Sequence, residues 1–231
     1  MALDNLRLAR EAGDYVRNVV KVKAANRSSD GIDQQQFNVA LAVQNGIEDN
    51  LATSIADEAL LALVASAKAA VQTRIGNCLS MASLAAAYLA AKGRFPLHVM
   101  SFTGGDSLTP RIGNTPITGT VIGPNAFTNQ LIPGRTGKGG NADYQKVPKF
   151  EPDHTVCVIG HISGTLSNRT WGQDTVFCDP WARRYYFATE LAEESRLIAM
   201  VTGGFAELSI NASLSSSTDW NSSWSKEIGL T

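Results

Sequence analysis

Apolar and polar residues recur with a helical period through the first 92 residues of the chain. This pattern predicts four helices, over residues 3–23, 34–43, 51–72 and 77–92. Asn45-Gly46 is expected to end the second helix, and Gly76 to separate the third helix from the fourth. The N-terminal part of the chain is therefore predicted to be helical.

The pattern changes after Gly93, where short apolar runs typical of β-strands replace the helical period. They predict five strands, over residues 95–103, 155–162, 175–178, 184–187 and 205–210. One more helix is expected over residues 190–201, with Thr189 as its cap. Residues 211–225 are rich in Ser, Thr and Asn, and we expect them to be loose.

Residues 104–152 are the least regular part of the pattern. They hold six of the eight prolines and nine of the twenty glycines. A stretch of this length without clear elements is uncommon inside a compact domain and usually serves a function. We predict a long Gly/Pro-rich insert here, with a short strand at residues 117–122.

The order of these elements predicts one compact α+β domain, in which N-terminal helices pack on an antiparallel sheet. Residues 1–72 form the N-terminal helical region. Residues 73–210 form the core that carries the candidate chemistry, including the insert at 104–152. Residues 211–231 form a polar C-terminal tail.

Charge and composition narrow the class of protein. The 231 residues include 20 Lys and Arg against 21 Asp and Glu, which excludes a broad basic field for nucleic acid or acidic lipid. Three cysteines without a Cys-x-x-Cys pair exclude a disulfide scaffold and a structural zinc site. The N-terminus lacks an apolar signal segment, and no apolar run is long enough to cross a bilayer. The sequence thus predicts a soluble protein without a Sec signal peptide.

Cys78 is the most informative of the few residues able to act as a nucleophile. It falls in the first turn of a predicted helix, just after Gly76. Free N–H groups and the positive end of the helix dipole favour a thiolate there, and the same N–H groups can hold an oxyanion. The alternative is a small buried side chain that packs under the helix.

His154 and Asp179 are the candidate partners of Cys78. His154 opens a predicted strand, and Asp179 closes the next one before Pro180. The start of one strand and the end of its hairpin neighbour lie at the same end of a sheet, so the carboxylate can orient the imidazole as a proton shuttle. The alternatives are a histidine hydrogen-bonded at a strand end and an aspartate that forms the Asp-Pro turn.

The remaining cysteines and histidines are expected to be structural. Cys157 lies three residues beyond His154 and Cys178 precedes Asp179, so both should face away from the candidate site into the core. His98 and His161 lie in apolar strand-like segments and are expected to pack there.

These segments together resemble the papain-like and transglutaminase-like superfamily. GNCLSMASLAAAYLAAKG and FPLHVMSF are similar to the nucleophile helix of that superfamily and the strand after it. DHTVCVIG and VFCDPWARRYY are similar to its His strand and its Asp strand. The resemblance covers residues 72–190, and the Asp-Pro-Trp form is most similar to bacterial effector and toxin domains that deamidate glutamine on host proteins.

The resemblance implies a papain-like or transglutaminase-like fold with a role for each residue. Cys78 is the nucleophile, His154 the general base and acid, and Asp179 the residue that orients His154. Papain-like enzymes also place a glutamine six residues before the cysteine as an oxyanion donor. Gln72 has that spacing, and its alternative is a polar residue at a helix end.

The activity that the resemblance implies is acyl transfer from a protein amide, most simply deamidation of glutamine, with no metal or organic cofactor. Water as acceptor gives deamidation and an amine gives transamidation; the sequence leaves both open. Two further alternatives are a cysteine protease with the same residues and an inert binding module of the same fold. The expected partner is a protein substrate, which would be a host protein if this protein is an effector. The protein is then expected either in the cytoplasm or delivered into a host cell by a specialised secretion system. The oligomeric state stays open.

Overall fold

The computed structural model describes residues 2–25, 30–103, 111–112, 115–116, 153–162, 171, 173–191, 194 and 207–230. Its helices in these ranges are α1 (Ala2–Asp14), α2 (Gln34–Leu51), α3 (Glu58–Thr73), α4 (Cys78–Ala91) and α5 (Ser222–Ile228). A π-helical turn, Tyr15–Val19, continues α1. The strands are β1 (Lys23–Ala24), β2 (Ile75–Gly76), β3 (Leu97–Thr103), β4 (Arg111–Ile112), β5 (Thr115–Pro116), β6 (Asp153–Ile159), β7 (Val176–Asp179), β8 (Arg184–Phe187) and β9 (Glu207–Leu214).

Five of these strands form the main sheet, in the order β8-β7-β6-β3-β9. Every neighbouring pair in it is antiparallel. A short parallel pair, β1 with β2, lies directly before α4, and β4 pairs with β5 within the insert. The predicted α+β class with an antiparallel sheet is confirmed.

Helix α4 lies at the centre of the core. Eleven of its fourteen residues are buried, and all fourteen are uncharged. Because many of them are alanine, α1, α3 and the strands β3 and β6 can approach α4 closely from different sides. The predicted helix at 77–92 is confirmed to within one residue at each end, with Asn77 as its cap.

Helix α2 differs from the prediction, because it runs through Asn45-Gly46 to Leu51 instead of ending there. A glycine inside a helix costs about 1 kcal/mol. Ile47 next to it is buried against Ala65 and Ala69 of α3, and burial of such a side chain gives about 1.5–3 kcal/mol. Packing against α3 therefore outweighs the local glycine signal.

Helix α3 begins later than predicted. The Asp57 side chain accepts a hydrogen bond from the Leu60 N–H at 2.9 Å and so caps a helix that starts at Glu58. Residues 52–57 separate α2 from α3. The predicted helix from residue 51 included this connecting segment, because the Ala/Leu-rich pattern gives no sign that Asp57 is a cap.

The predicted strands are present with small shifts in their bounds. β6 begins at Asp153 instead of 155, and β9 extends to Leu214 instead of ending at 210. His161, expected to pack in a strand, lies beyond Gly160 and is exposed, because β6 has already ended at Ile159. The short strand predicted at 117–122 and most of the helix predicted at 190–201 lie outside the described residues; Ala188–Glu190 forms a 3₁₀ turn.

The prediction that residues 211–225 form a loose tail is wrong. Residues 211–214 complete β9, and α5 packs on α3 and α4 with Trp220 and Ile228 buried. Asn221 caps α5 through the Ser223 N–H, and Glu227 forms an ion pair with Lys68 of α3. The polar residues act as caps, while Trp224 and Ile228, four residues apart within α5, lie on one helical face. Trp220 lies before the helix, and its ring meets that of Trp224 edge-on.

No helix in the described part of the chain combines the length and the apolar character needed to cross a lipid bilayer.

The docking of α5 can be tested with two matched substitutions. Ile228→Ala removes a side chain that is 2% exposed, and we expect it to lower the free energy of unfolding by about 2–4 kcal/mol, because it leaves a cavity. Ile210→Ala in β9 is the control, since Ile210 is 43% exposed and should cost less than about 1 kcal/mol. Chemical denaturation measures both losses. Equal losses would contradict the packing of α5 in the core.

Candidate active site

Cys78 opens α4 and is 8% exposed. The preceding Asn77 caps the helix: its Oδ1 accepts the Ser80 N–H at 3.0 Å and the Ser80 hydroxyl at 3.1 Å. Gly76 lies so close to the first turn that a Cβ there would stand 2.9 Å from the Ser80 Cβ. The Gly-Asn-Cys sequence thus presents the thiol at the N-terminal end of a buried helix.

The approach to Cys78 is held by the parallel strands β1 and β2. The Lys23 N–H donates to the Arg74 carbonyl and the Ala25 N–H to the Gly76 carbonyl, both at 2.8 Å. These bonds hold the backbone of Gly76 two residues before the thiol. The N-terminal region of the chain therefore contributes directly to the position of Cys78.

A largely buried ion pair holds β1 in place. Arg17, in the π-helical turn, binds Asp30 through two hydrogen bonds of 2.8 and 3.2 Å. Asp30 also accepts the Ala24 N–H at 2.7 Å, and Arg17 donates to the Val22 carbonyl at 2.9 Å. Buried charges persist only when they are paired and hydrogen-bonded, so this geometry is strongly specified.

His154 and Asp179 form a hydrogen bond of 2.6 Å between Nε2 and Oδ2, and both side chains are completely buried. The two strands that carry them are antiparallel, with Cys157 opposite Cys178, so the start of β6 and the end of β7 lie at the same end of the sheet. The other carboxylate oxygen, Oδ1, accepts the Ala182 N–H at 2.9 Å. Asp179 therefore both partners the histidine and shapes the turn that follows it.

The charge environment of His154 has two opposing parts. Burial lowers its pKa, but the charge and hydrogen bond of Asp179 raise it, and the neighbouring Cys78 thiol adds to the rise. The net pKa of His154 lies well above its usual value. At neutral pH the ring is therefore an imidazolium, which is the partner that stabilises a neighbouring thiolate.

The structure thus brings together Cys78, His154 and Asp179, which we name the trio. The ring of Trp181 meets the His154 ring edge-on, with centroids 5.3 Å apart, and limits the orientations of the imidazole. Trp181 follows Asp179 by two residues, and nothing in the sequence pattern assigned it a place beside the histidine. Its position depends on the turn that Asp179 organises.

The first turn of α4 also offers hydrogen-bond donors. Oδ1 of Asn77 takes the Ser80 N–H, and the Asn77 carbonyl takes the Met81 N–H at 3.1 Å. The N–H groups of Cys78 and Leu79 precede these in the turn, where a helix has no acceptors of its own. They are available donors for an oxyanion on a carbonyl group that the sulfur attacks.

Gln72, the predicted oxyanion donor, lies in the last turn of α3 with its side chain exposed. The trio is buried, and no hydrogen bond in the described part of the chain joins Gln72 to it. A role for Gln72 stays a prediction. The backbone donors of α4 require no glutamine.

The other two cysteines are buried in the core, as predicted. Cys157 and Cys178 stand opposite each other on β6 and β7, and the Cys178 thiol donates to the Ala9 carbonyl of α1 at 3.2 Å. Burial raises the pKa of Cys157 to about 12 and that of Cys178 well above its usual value. All three cysteines are free thiols.

His98 is buried as predicted, and its Nδ1 lies 2.5 Å from the Ser213 hydroxyl. Burial lowers its pKa. Within the described ranges, no group of three or more His, Cys, Asp or Glu side chains has the arrangement of a metal site.

Comparisons of this chain with known protein families, with characterised proteins and with solved structures find no match.

The three thiols are expected to differ in reactivity. Iodoacetamide at mildly acidic pH should label Cys78 before Cys157 and Cys178, because only Cys78 lies beside an imidazolium at a helix start. Peptide mapping by mass spectrometry after short exposure measures the order. His154→Gln is the informative variant, since it should slow labelling of Cys78 and leave the other two unchanged. Equal, slow labelling of all three would contradict an activated thiol.

Stability should depend on pH through His154. Its folded-state pKa is raised above the unfolded value, so the pair with Asp179 contributes fully below about pH 6.5 and loses its contribution as the pH rises through the folded-state pKa. The difference in free energy of unfolding between wild type and His154→Gln should therefore shrink from neutral into alkaline pH. Urea denaturation at several pH values measures it.

His98→Gln is the matched control, because the pKa of His98 is lowered instead of raised. Its contribution is present above about pH 6.5 and is lost as the pH falls, so the trend has the opposite sign. The same trend for both variants would contradict the assigned charge states.

Proposed function

We propose that the protein is a cysteine-nucleophile acyl-transfer enzyme that acts on protein amides through Cys78, His154 and Asp179. The observation that carries the proposal is the buried His154–Asp179 hydrogen bond beside a thiol at the start of α4. A merely structural histidine has no need of a completely buried carboxylate on one side and a thiol on the other. Strongly perturbed groups with a specific charge partner are typical of active sites.

The reaction follows from the positions of the groups. The Cys78 thiolate attacks the amide carbonyl carbon, and the N–H groups of Cys78 and Leu79 bind the oxyanion. The His154 imidazolium then gives its proton to the departing nitrogen, and a thioester forms. Neutral His154 next takes a proton from water as the water attacks the thioester, which releases a carboxylic acid and restores the thiolate.

Asp179 holds the ring through this cycle. Its Oδ2 accepts from Nε2, so the other ring nitrogen is left to serve the sulfur. Oδ1 is occupied by the Ala182 N–H, so the carboxylate cannot rotate without breaking two hydrogen bonds. The negative charge of Asp179 also stabilises the imidazolium form that the first half of the reaction needs.

The substrate class rests on the resemblance to papain-like and transglutaminase-like enzymes. An antiparallel sheet with His154 and Asp179 on adjacent strands, and a buried helix that starts at Cys78, supports it. We propose a protein-glutamine deamidase of bacterial effector type, in which the leaving group is ammonia and the target is a host protein. A cysteine protease uses the same trio on a backbone amide.

Intact-mass analysis separates these activities. With β-casein as a probe rich in accessible glutamine, deamidation adds about one mass unit for each event, whereas proteolysis gives fragments. We expect Cys78→Ala to abolish turnover and Asp179→Asn to lower it by at least about 100-fold, because the imidazolium loses its counter-charge. Cys157→Ala is the control that removes a thiol outside the trio.

Full turnover by Cys78→Ala would overturn the mechanism. Absence of turnover together with a Cys78 thiol no more reactive than Cys157 would favour the inert binding module.

A further inference from the structure

Arg184 stands directly opposite Asp179 on the neighbouring strand β8. Directly opposed residues on antiparallel strands project to the same face, with Cβ atoms about 5 Å apart. The guanidinium does not use its hydrogen bonds on Asp179, however. Its Nη2 donates to Oε1 of Glu194 at 2.7 Å, and its Nε donates to Oε2 of the same carboxylate.

The result is a row of alternating charges that ends at the candidate active site. Glu194 is negative, Arg184 positive, Asp179 negative and His154 positive. The Glu194 side chain is 14% exposed and that of Arg184 is 42% exposed, so water screens the outer pair in part. The inner pair is completely buried, where charges are felt most strongly.

We propose that Arg184 and Glu194 form a tuning pair for the proton that the Asp179–His154 pair holds. The positive charge of Arg184 makes this proton easier to lose, and the negative charge of Glu194 offsets that effect. Neither residue touches a reacting atom; both act on His154 through the electrostatic effect of their charges on Asp179. Their effect on catalysis rests on the proposed function, whereas their effect on the proton of His154 does not.

The other groups that face this row do not change charge near neutral pH. Burial raises the pKa of Tyr185, Tyr186 and Cys178, which lie beside Asp179, so they remain neutral. Trp181 packs on His154 without a charge. Among the described residues, the charged or titratable groups along this row are Glu194 and Arg184 on one side, and Asp179, His154 and the Cys78 thiol on the other.

The signs of the two effects are opposite, and this separates tuning from a structural role. Removal of the Arg184 charge takes away a positive charge that disfavours the imidazolium and leaves Glu194 unneutralised, so the proton is held more tightly. Removal of the Glu194 charge leaves Arg184 unneutralised, so the proton is held less tightly. If the ion pair had only a structural role, substitution of either residue would break the same contact. Both substitutions would then shift the His154 titration in the same direction.

The test is the titration of His154 by NMR of its ring nitrogens, with His154→Gln to assign the signal. We expect Arg184→Gln to move the midpoint up and Glu194→Gln to move it down, each by about half a pH unit. Arg184→Lys keeps the charge and loses the two-point geometry, so its midpoint should remain close to that of the wild type. Should Arg184→Gln fail to fold, the direction for Glu194→Gln decides alone.

Shifts in the same direction, or no shift in either variant, would overturn the proposal. The pH dependence of turnover on β-casein should move with the NMR midpoint. Opposite NMR shifts in a protein without turnover would leave the tuning pair intact and reject the proposed function, so the two failures are distinguishable.

Discussion

The hydrogen bond between His154 and Asp179 is the interaction on which the rest of the site depends. Neither side chain is reached by water, so each charge must be compensated within the protein. The two carboxylate oxygens meet this requirement by binding one ring nitrogen and one backbone N–H. The same contacts bring the start of β6, the end of β7 and the turn after Asp179 into one arrangement. A misplaced strand would leave a buried charge without a partner.

The position of Cys78 depends on a different constraint, which is the close packing around α4. Small residues let this helix lie at the centre of the core, and Gly76 lets β2 come close to its first turn. The Arg17–Asp30 pair holds β1, and β1 holds β2. The N-terminal region resembles no part of the papain-like pattern, yet it supports the thiol through this chain of contacts.

Two of the differences between prediction and structure, in α2 and in the C-terminal segment, share one cause. Gly46 is a local stop signal, but Ile47 gains more by packing on α3 than the glycine costs. The Ser- and Asn-rich tail has the composition of a loose segment, but α5 packs on α3 and α4, and Trp220 and Ile228 are buried. Local composition indicates only which secondary structure a segment would prefer in isolation. Tertiary contacts worth a few kilocalories per mole can override that preference.

The sequence by itself determined the α+β class, the helix that starts at Cys78, and the adjacent strands that carry His154 and Asp179. These follow from local patterns: apolar periodicity, a glycine before the helix, and an Asp-Pro at a strand end. Only the tertiary structure decided the charge state of His154, the place of Trp181 against its ring, the support from Arg17 and the opposition of Arg184 to Asp179. These depend on strand register and burial, because charges separated by many residues interact only when the fold removes the water between them.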